Sequence, residues 1–152
     1  MKKQIFSLLL ILLVGFGFAQ SDNPVAVRLE IYVVSTVNGQ EEFKESTTAR
    51  PGQVVEYRLY ATNNGDTTLP PGSVTITGPI PEGTTYVAES ATPSAEGVLT
   101  EFTVNGSDFT DNEVVATADG GTLSAVRWTV EVDMEPGAEQ EFVYRVTVDK
   151  EN

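Results

Sequence analysis

The sequence predicts an all-β, immunoglobulin-like two-sheet Greek-key sandwich of seven to nine strands. Three observations carry this: strict period-two alternation in four long segments, turn signals between nearly all segments, and no stretch with helical periodicity. Val27, Leu29, Ile31 and Val33 alternate with Arg28, Glu30, Tyr32 and Val34. Val55, Tyr57, Leu59 and Ala61 alternate with Glu56, Arg58, Tyr60 and Thr62. Val126, Trp128, Val130 and Val132 alternate with Arg127, Thr129, Glu131 and Asp133. Phe142, Tyr144, Val146 and Val148 alternate with Val143, Arg145, Thr147 and Asp149. Successive side chains of a strand point to opposite faces, so each segment turns one apolar face inward and one polar face to water.

Shorter strands are expected at about 42–49, 73–77, 84–88, 98–104 and 113–117. Asn38-Gly39, Pro51-Gly52, Asn64-Gly65, Pro71-Gly72, Glu82-Gly83, Asn105-Gly106, Gly120-Gly121 and Pro136-Gly137 punctuate them. Proline presets φ and glycine or asparagine accepts positive φ, so these pairs mark turns.

Ahead of the strands, Lys2 and Lys3 precede an apolar run over 5–19 that ends on the small residues Gly17 and Ala19. That grammar reads as a secretory signal peptide over 1–19, with cleavage before Gln20. The run is short against the ~20 apolar residues that span a bilayer. No Cys follows for lipid attachment and no second apolar run exists, so no transmembrane anchor is expected in the mature chain. Residues 20–152 are expected to form one domain, exported to the periplasm, the cell surface or the medium. With no Cys it must hold together without disulfides.

The stretch Arg50-Pro51-Gly52-Gln53-Val54-Val55-Glu56-Tyr57-Arg58-Leu59-Tyr60-Ala61-Thr62-Asn63-Asn64-Gly65 carries a Pro-Gly turn and an alternating strand ending in Asn-x-Gly. Val74-Thr75-Ile76-Thr77-Gly78-Pro79-Ile80-Pro81-Glu82-Gly83-Thr84-Thr85-Tyr86-Val87, Ala125-Val126-Arg127-Trp128, Pro136-Gly137 and the strand over 142–148 continue the pattern. Over about 50–148 this resembles the bacterial repeat family termed domain of unknown function 11. Two positions depart from it: Thr77-Gly78 replaces an Asp-containing step, and Thr84 an apolar residue. The resemblance implies an immunoglobulin-like module of exported and cell-envelope proteins, with no catalytic residues to carry over.

The net charge is −13, and removal of a leader holding Lys2 and Lys3 makes it more negative. Such a surface repels phosphate backbones and anionic headgroups, so no nucleic acid is expected as a partner. With no His and no Cys, Ser-His-Asp, Cys-His and His-zinc sites are excluded. A carboxylate pair remains open in principle, but the acidic residues fall in turns and outward phases, and no enzyme is expected.

Two candidate sites remain. Asp108, Asp111, Asn112 and Glu113 place four oxygen-bearing side chains in one loop, with Asp119 on the same rim, and hard cations such as calcium take oxygen clusters. The spacing is not that of an EF-hand, and turn-forming Asp and Asn explain the same letters. Tyr32 and Tyr60 lie on outward phases, where they would stack on a sugar or simply pair across strands. Trp128 and Tyr144 are inward and belong to the core. Lys44, a candidate for an isopeptide crosslink, has no evident partner. The expected role is therefore a non-enzymatic structural or interaction module of the envelope or extracellular space, contacting another protein or a surface polymer through sheet edges, faces or loops. The alternative is a small-ligand binder, for calcium or carbohydrate.

Overall fold

The computed structural model describes residues 6–7 and 24–150. The expected leader, 1–19, lies outside the described residues except for Phe6 and Ser7. These form β1 (Phe6–Ser7), followed by β2 (Val25–Val37), β3 (Gln40–Glu45), β4 (Thr48–Ala49), β5 (Val54–Asn63), β6 (Val74–Pro79), β7 (Thr84–Tyr86) and β8 (Val98–Thr103). A single helical turn, α1 (Glu113–Ala116), precedes β9 (Ala125–Val130) and β10 (Glu139–Val148).

The strands make two antiparallel sheets in a sandwich-like arrangement. One is five-stranded, in the order β3-β2-β5-β10-β7, and the other three-stranded, in the order β6-β9-β8. Phe6 and Ser7 pair separately with Ala49 and Thr48. The β2–β3 hairpin closes on Asn38 and Gly39, both at positive φ (52° and 80°), as an Asn-Gly turn of the primed type requires.

The four long alternating segments all form strands, and their apolar phases meet in one core. Val55, Tyr57, Leu59, Ala61, Phe142, Tyr144 and Val146 are fully buried, as are Val126 and Trp128 from the opposite sheet. Aromatic rings fill the middle. Tyr57 stacks on Tyr144 at 5.0 Å, Trp128 stacks on Phe142 at 5.3 Å, and Trp128 tilts onto Tyr144 at 5.9 Å. Each such pair adds about 0.5–1.5 kcal/mol beyond area burial. Gly78 lets the sheets close over these rings: a Cβ there would lie 2.6 Å from Cε1 of Tyr144 and 3.1 Å from Cζ3 of Trp128.

Two readings of the alternation need correction, one on each phase. The alternation over 126–132 extends past the end of β9 at Val130, and Val132, expected inward, is 40% exposed. Glu56, on the outward phase of β5, is only 3% exposed. Its carboxylate accepts from Nε of Arg58 at 2.6 Å and Nε of Arg145 at 2.7 Å, while Arg145 also donates both terminal nitrogens to Glu41 at 2.8 and 2.9 Å. Glu41 sits on β3, three places from β10 in the sheet order. Neighbouring strands are ~4.8 Å apart, so the β2–β3 hairpin must curl over the outer face to bring the two together. Hydrogen bonds to Glu41 and Glu56 hold the Arg145 guanidinium protonated even more firmly than usual.

Among the described residues, the Tyr57 hydroxyl is the buried side-chain polar atom without a hydrogen-bond partner. Burial pushes its pKa up to about 12, against 10.0 ordinarily. Tyr57→Phe removes a desolvated, unpaired group, so unfolding free energy in urea is expected to hold or rise by up to ~1 kcal/mol. A loss larger than that would mean the hydroxyl is satisfied. Because the folded value is the raised one, stability is intact below pH 10 and falls as the unfolded tyrosine ionises between pH 10 and 12. The fall is expected to be shallower in the Phe variant. Gly78→Ala, in contrast, overpacks the core and is expected to cost about 1–3 kcal/mol in the same assay.

Candidate functional site

After Tyr86 the chain leaves the regular ladder of β7 but stays bound to β10. The Val87 amide donates to the Arg145 carbonyl at 2.9 Å, and the Thr92 amide donates to the Val143 carbonyl at 2.8 Å. Two hydroxyls stand in for missing backbone acceptors. Ser90 Oγ accepts from the Arg145 amide at 2.9 Å, and Thr92 Oγ1 accepts from the Val143 amide at 2.8 Å. Between Val87 and Ser90 the backbone turns out of the ladder, with Glu89 at φ 59°, a left-handed conformation that costs a non-glycine residue of order 1 kcal/mol. The inner side of this 87–94 segment is pinned to the opposite sheet. The Trp128 indole donates to the Thr92 carbonyl at 3.0 Å, and Thr100 Oγ1 donates to the same oxygen at 2.9 Å.

Opposite the bulge stands α1. The 113–117 segment, expected as a strand, is instead this helical turn. Its period-two look is too short to decide, and Asn112 starts a helix by accepting from the Val114 and Val115 amides at 3.0 and 3.2 Å. Glu113 then bridges turn and bulge. Its Oε2 accepts from the Tyr86 hydroxyl at 3.3 Å and from the Glu89 amide at 3.2 Å. The Tyr86 hydroxyl in turn accepts from the Ala91 amide at 3.1 Å. Burial, with the Glu113 charge beside it, raises the Tyr86 pKa.

The result is a hollow of ≈ 570 Å³ between bulge and turn. Its floor is apolar, from Tyr86, Ala91, Pro93 and Phe102, and its rim carries Glu89, Asp111 and Glu113. A second hollow of ≈ 400 Å³ adjoins it across Tyr86, Ala88 and Glu113, and Asp149 lines its far side. Among the described residues no Lys or Arg lines either hollow. Val114, 77% exposed, also lines the larger hollow, and its neighbour Val115 is 60% exposed.

The proposed calcium ligands are placed apart in role. Asp108 Oδ2 accepts from Asn105 Nδ2 at 2.7 Å, Asn112 caps α1, Glu113 holds the bulge, and Asp111 lies at the rim of the larger hollow. Among the described residues no group of three or more His, Cys, Asp or Glu is positioned to hold a metal ion. Tyr32 and Tyr60 do lie on the outer face of the five-stranded sheet, each half-buried. Tyr32 donates to Glu30 at 2.8 Å, and Tyr60 donates to Glu141 at 3.0 Å. Arg58 covers a face of the Tyr32 ring at 4.6 Å, and Arg28 covers Tyr60 at 3.8 Å. Each guanidinium thus takes up one face of its ring.

Sequence reasoning reached Asp111, Asn112 and Glu113, as oxygen donors for calcium, and it missed Tyr86, Glu89, Ala91 and Phe102. Ser90 and Thr92, spaced two apart after a strand, were the available signal that hydroxyls continue the ladder. No family model matches the chain, and no curated protein or solved structure is significantly similar to it. Among the described residues no helix is long and apolar enough to cross a membrane.

Asn112→Ala removes the α1 cap and is expected to cost about 1 kcal/mol locally. Hydrogen exchange at the Val114 and Val115 amides should accelerate, by the same factor in calcium and in chelator. Acceleration in chelator alone would support the calcium reading of this loop.

Proposed function

We propose that the protein is a non-enzymatic interaction module, exported and working at the cell envelope or outside the cell, that contacts another protein or a surface polymer. The observation that carries this reading is the acidic, apolar-floored trough, held in place before any partner arrives. Its walls are fixed by hydrogen bonds to both sheets, so little ordering entropy is left to lose on binding. It presents carboxylates and apolar surface, a recognition chemistry rather than a nucleophile with its base. The apolar, twice-basic start of the sequence supports export.

The sheet order supports an immunoglobulin-like Greek-key sandwich of variant connectivity, in keeping with the motif resemblance over 50–148. β5 is flanked by β2 and β10, and β9 by β6 and β8. In the immunoglobulin constant order the second strand is flanked by the first and the fifth. Here the last strand takes the fifth strand's place.

A photo-reactive residue at Val114, in growing cells of the source organism, is expected to give discrete crosslinked species in the envelope or secreted fraction. The same residue at Val37, on the hairpin at the opposite sheet edge, is expected to give few. A protein retained in the cytosol, or crosslinks from neither position, would contradict the proposal.

A further inference from the structure

We infer that the trough takes the Lys or Arg side chain of an extended segment of a partner protein, an inference that rests on the interaction-module reading and names the chemistry of its partner. Charge complementarity commits the trough to a cation. Glu89, Asp111 and Glu113 rim the larger hollow, and Asp149 lines the adjoining one. None of these four forms a salt bridge with a described Lys or Arg, whereas Glu30, Glu41, Glu56 and Glu101 on the sheet faces all do. The side chains of Glu89 and Asp111 make no hydrogen bond among the described residues, and Glu113 uses only Oε2. Asp149 accepts from Thr85 Oγ1 at 2.7 Å, but none of the four is paired with a described cation, so an incoming one meets unpaired negative charge.

The apolar floor decides the rest of the ligand. A bare metal ion has no use for Tyr86, Ala91, Pro93 and Phe102, which form the floor between the carboxylates. A Lys or Arg side chain matches both surfaces: its methylene stem lies along apolar groups while its head reaches charge at the edge. The trough also continues past Glu113 into the second hollow, and Val114, 77% exposed, lines the larger one. That continuity fits an extended segment, with one basic residue seated at Glu113 and its neighbours lying along Val114 and into the second hollow.

The test is a titration of the isotope-labelled protein, at low salt, with two synthetic pentapeptides. One is acetyl-Val-Val-Lys-Val-Thr-amide, and the other carries uncharged norleucine in place of its Lys. The lysine peptide is expected to shift the amide signals of Val87, Glu89, Ala91 and Val114 saturably. The norleucine peptide is expected to bind about tenfold more weakly, the equivalent of one charge-assisted hydrogen bond. Glu113→Gln is expected to lose a similar factor, and Val114→Arg, at a surface position that leaves folding alone, to block binding. Rising salt should weaken the lysine peptide alone. Equal binding of the two peptides, shifts confined to other surfaces, or no binding of either overturns the inference. So does n-butylammonium binding as tightly as the peptide, which would make this a small-amine site. The two levels separate cleanly. Crosslinks from Val114 that persist in Glu113→Gln, with no lysine dependence here, leave an interaction module standing and remove the cation from its account.

Discussion

The indole of Trp128 ties the molecule together. Its ring lies between Phe142 and Tyr144 of the facing sheet, and its N–H reaches the Thr92 carbonyl in a segment outside either sheet. One side chain thus fills the space between layers and anchors the wall of the trough. A buried indole needs an acceptor for its N–H, and Thr92 supplies it only where it sits now. The packing of the core and the position of the 87–94 segment are therefore a single problem with a single solution. Gly78 belongs to the same solution, because only a residue without Cβ lets β6 approach these rings.

The polar exterior follows a different logic. On the five-stranded sheet the guanidinium groups of Arg28, Arg58 and Arg145 are each engaged by carboxylates and by aromatic faces. A chain this acidic has few cations, and many of them are spent on that face. The trough at the opposite edge from β3 receives none from the described residues. The contrast is the physical basis for reading one surface as self-contained and the other as awaiting a partner.

Much of the fold was legible in the sequence because period two is unambiguous when it runs for seven residues. Val55 to Ala61 and Phe142 to Val148 could not be anything else, and Asn38-Gly39 closed the hairpin where its φ preference said it would. Short segments were less readable. Glu113-Val114-Val115-Ala116 alternates too briefly to distinguish a strand from one helical turn, and the deciding residue, Asn112, lay outside the pattern. Glu56 looked like a solvated face position; its burial depends on Arg58, Arg145 and a curled hairpin bringing Glu41 across, which no local spacing reveals. The trough was the least legible feature. The Glu113 carboxylate joins 86–94 to 111–114, while 86–94 is held to β10 by hydroxyls that replace a backbone ladder, and such substitutions appear only when β10 is in place beside them.

Native-state hydrogen exchange at the Val143 and Arg145 amides tests this account most directly. Both donate to side-chain hydroxyls of the 87–94 segment, Thr92 and Ser90. If that segment is built into the sheet, these two amides exchange as slowly as the β10 amides bonded to β5. If they exchange as fast as the exposed 104–108 loop, the segment is loose, the trough has no fixed wall, and the account fails.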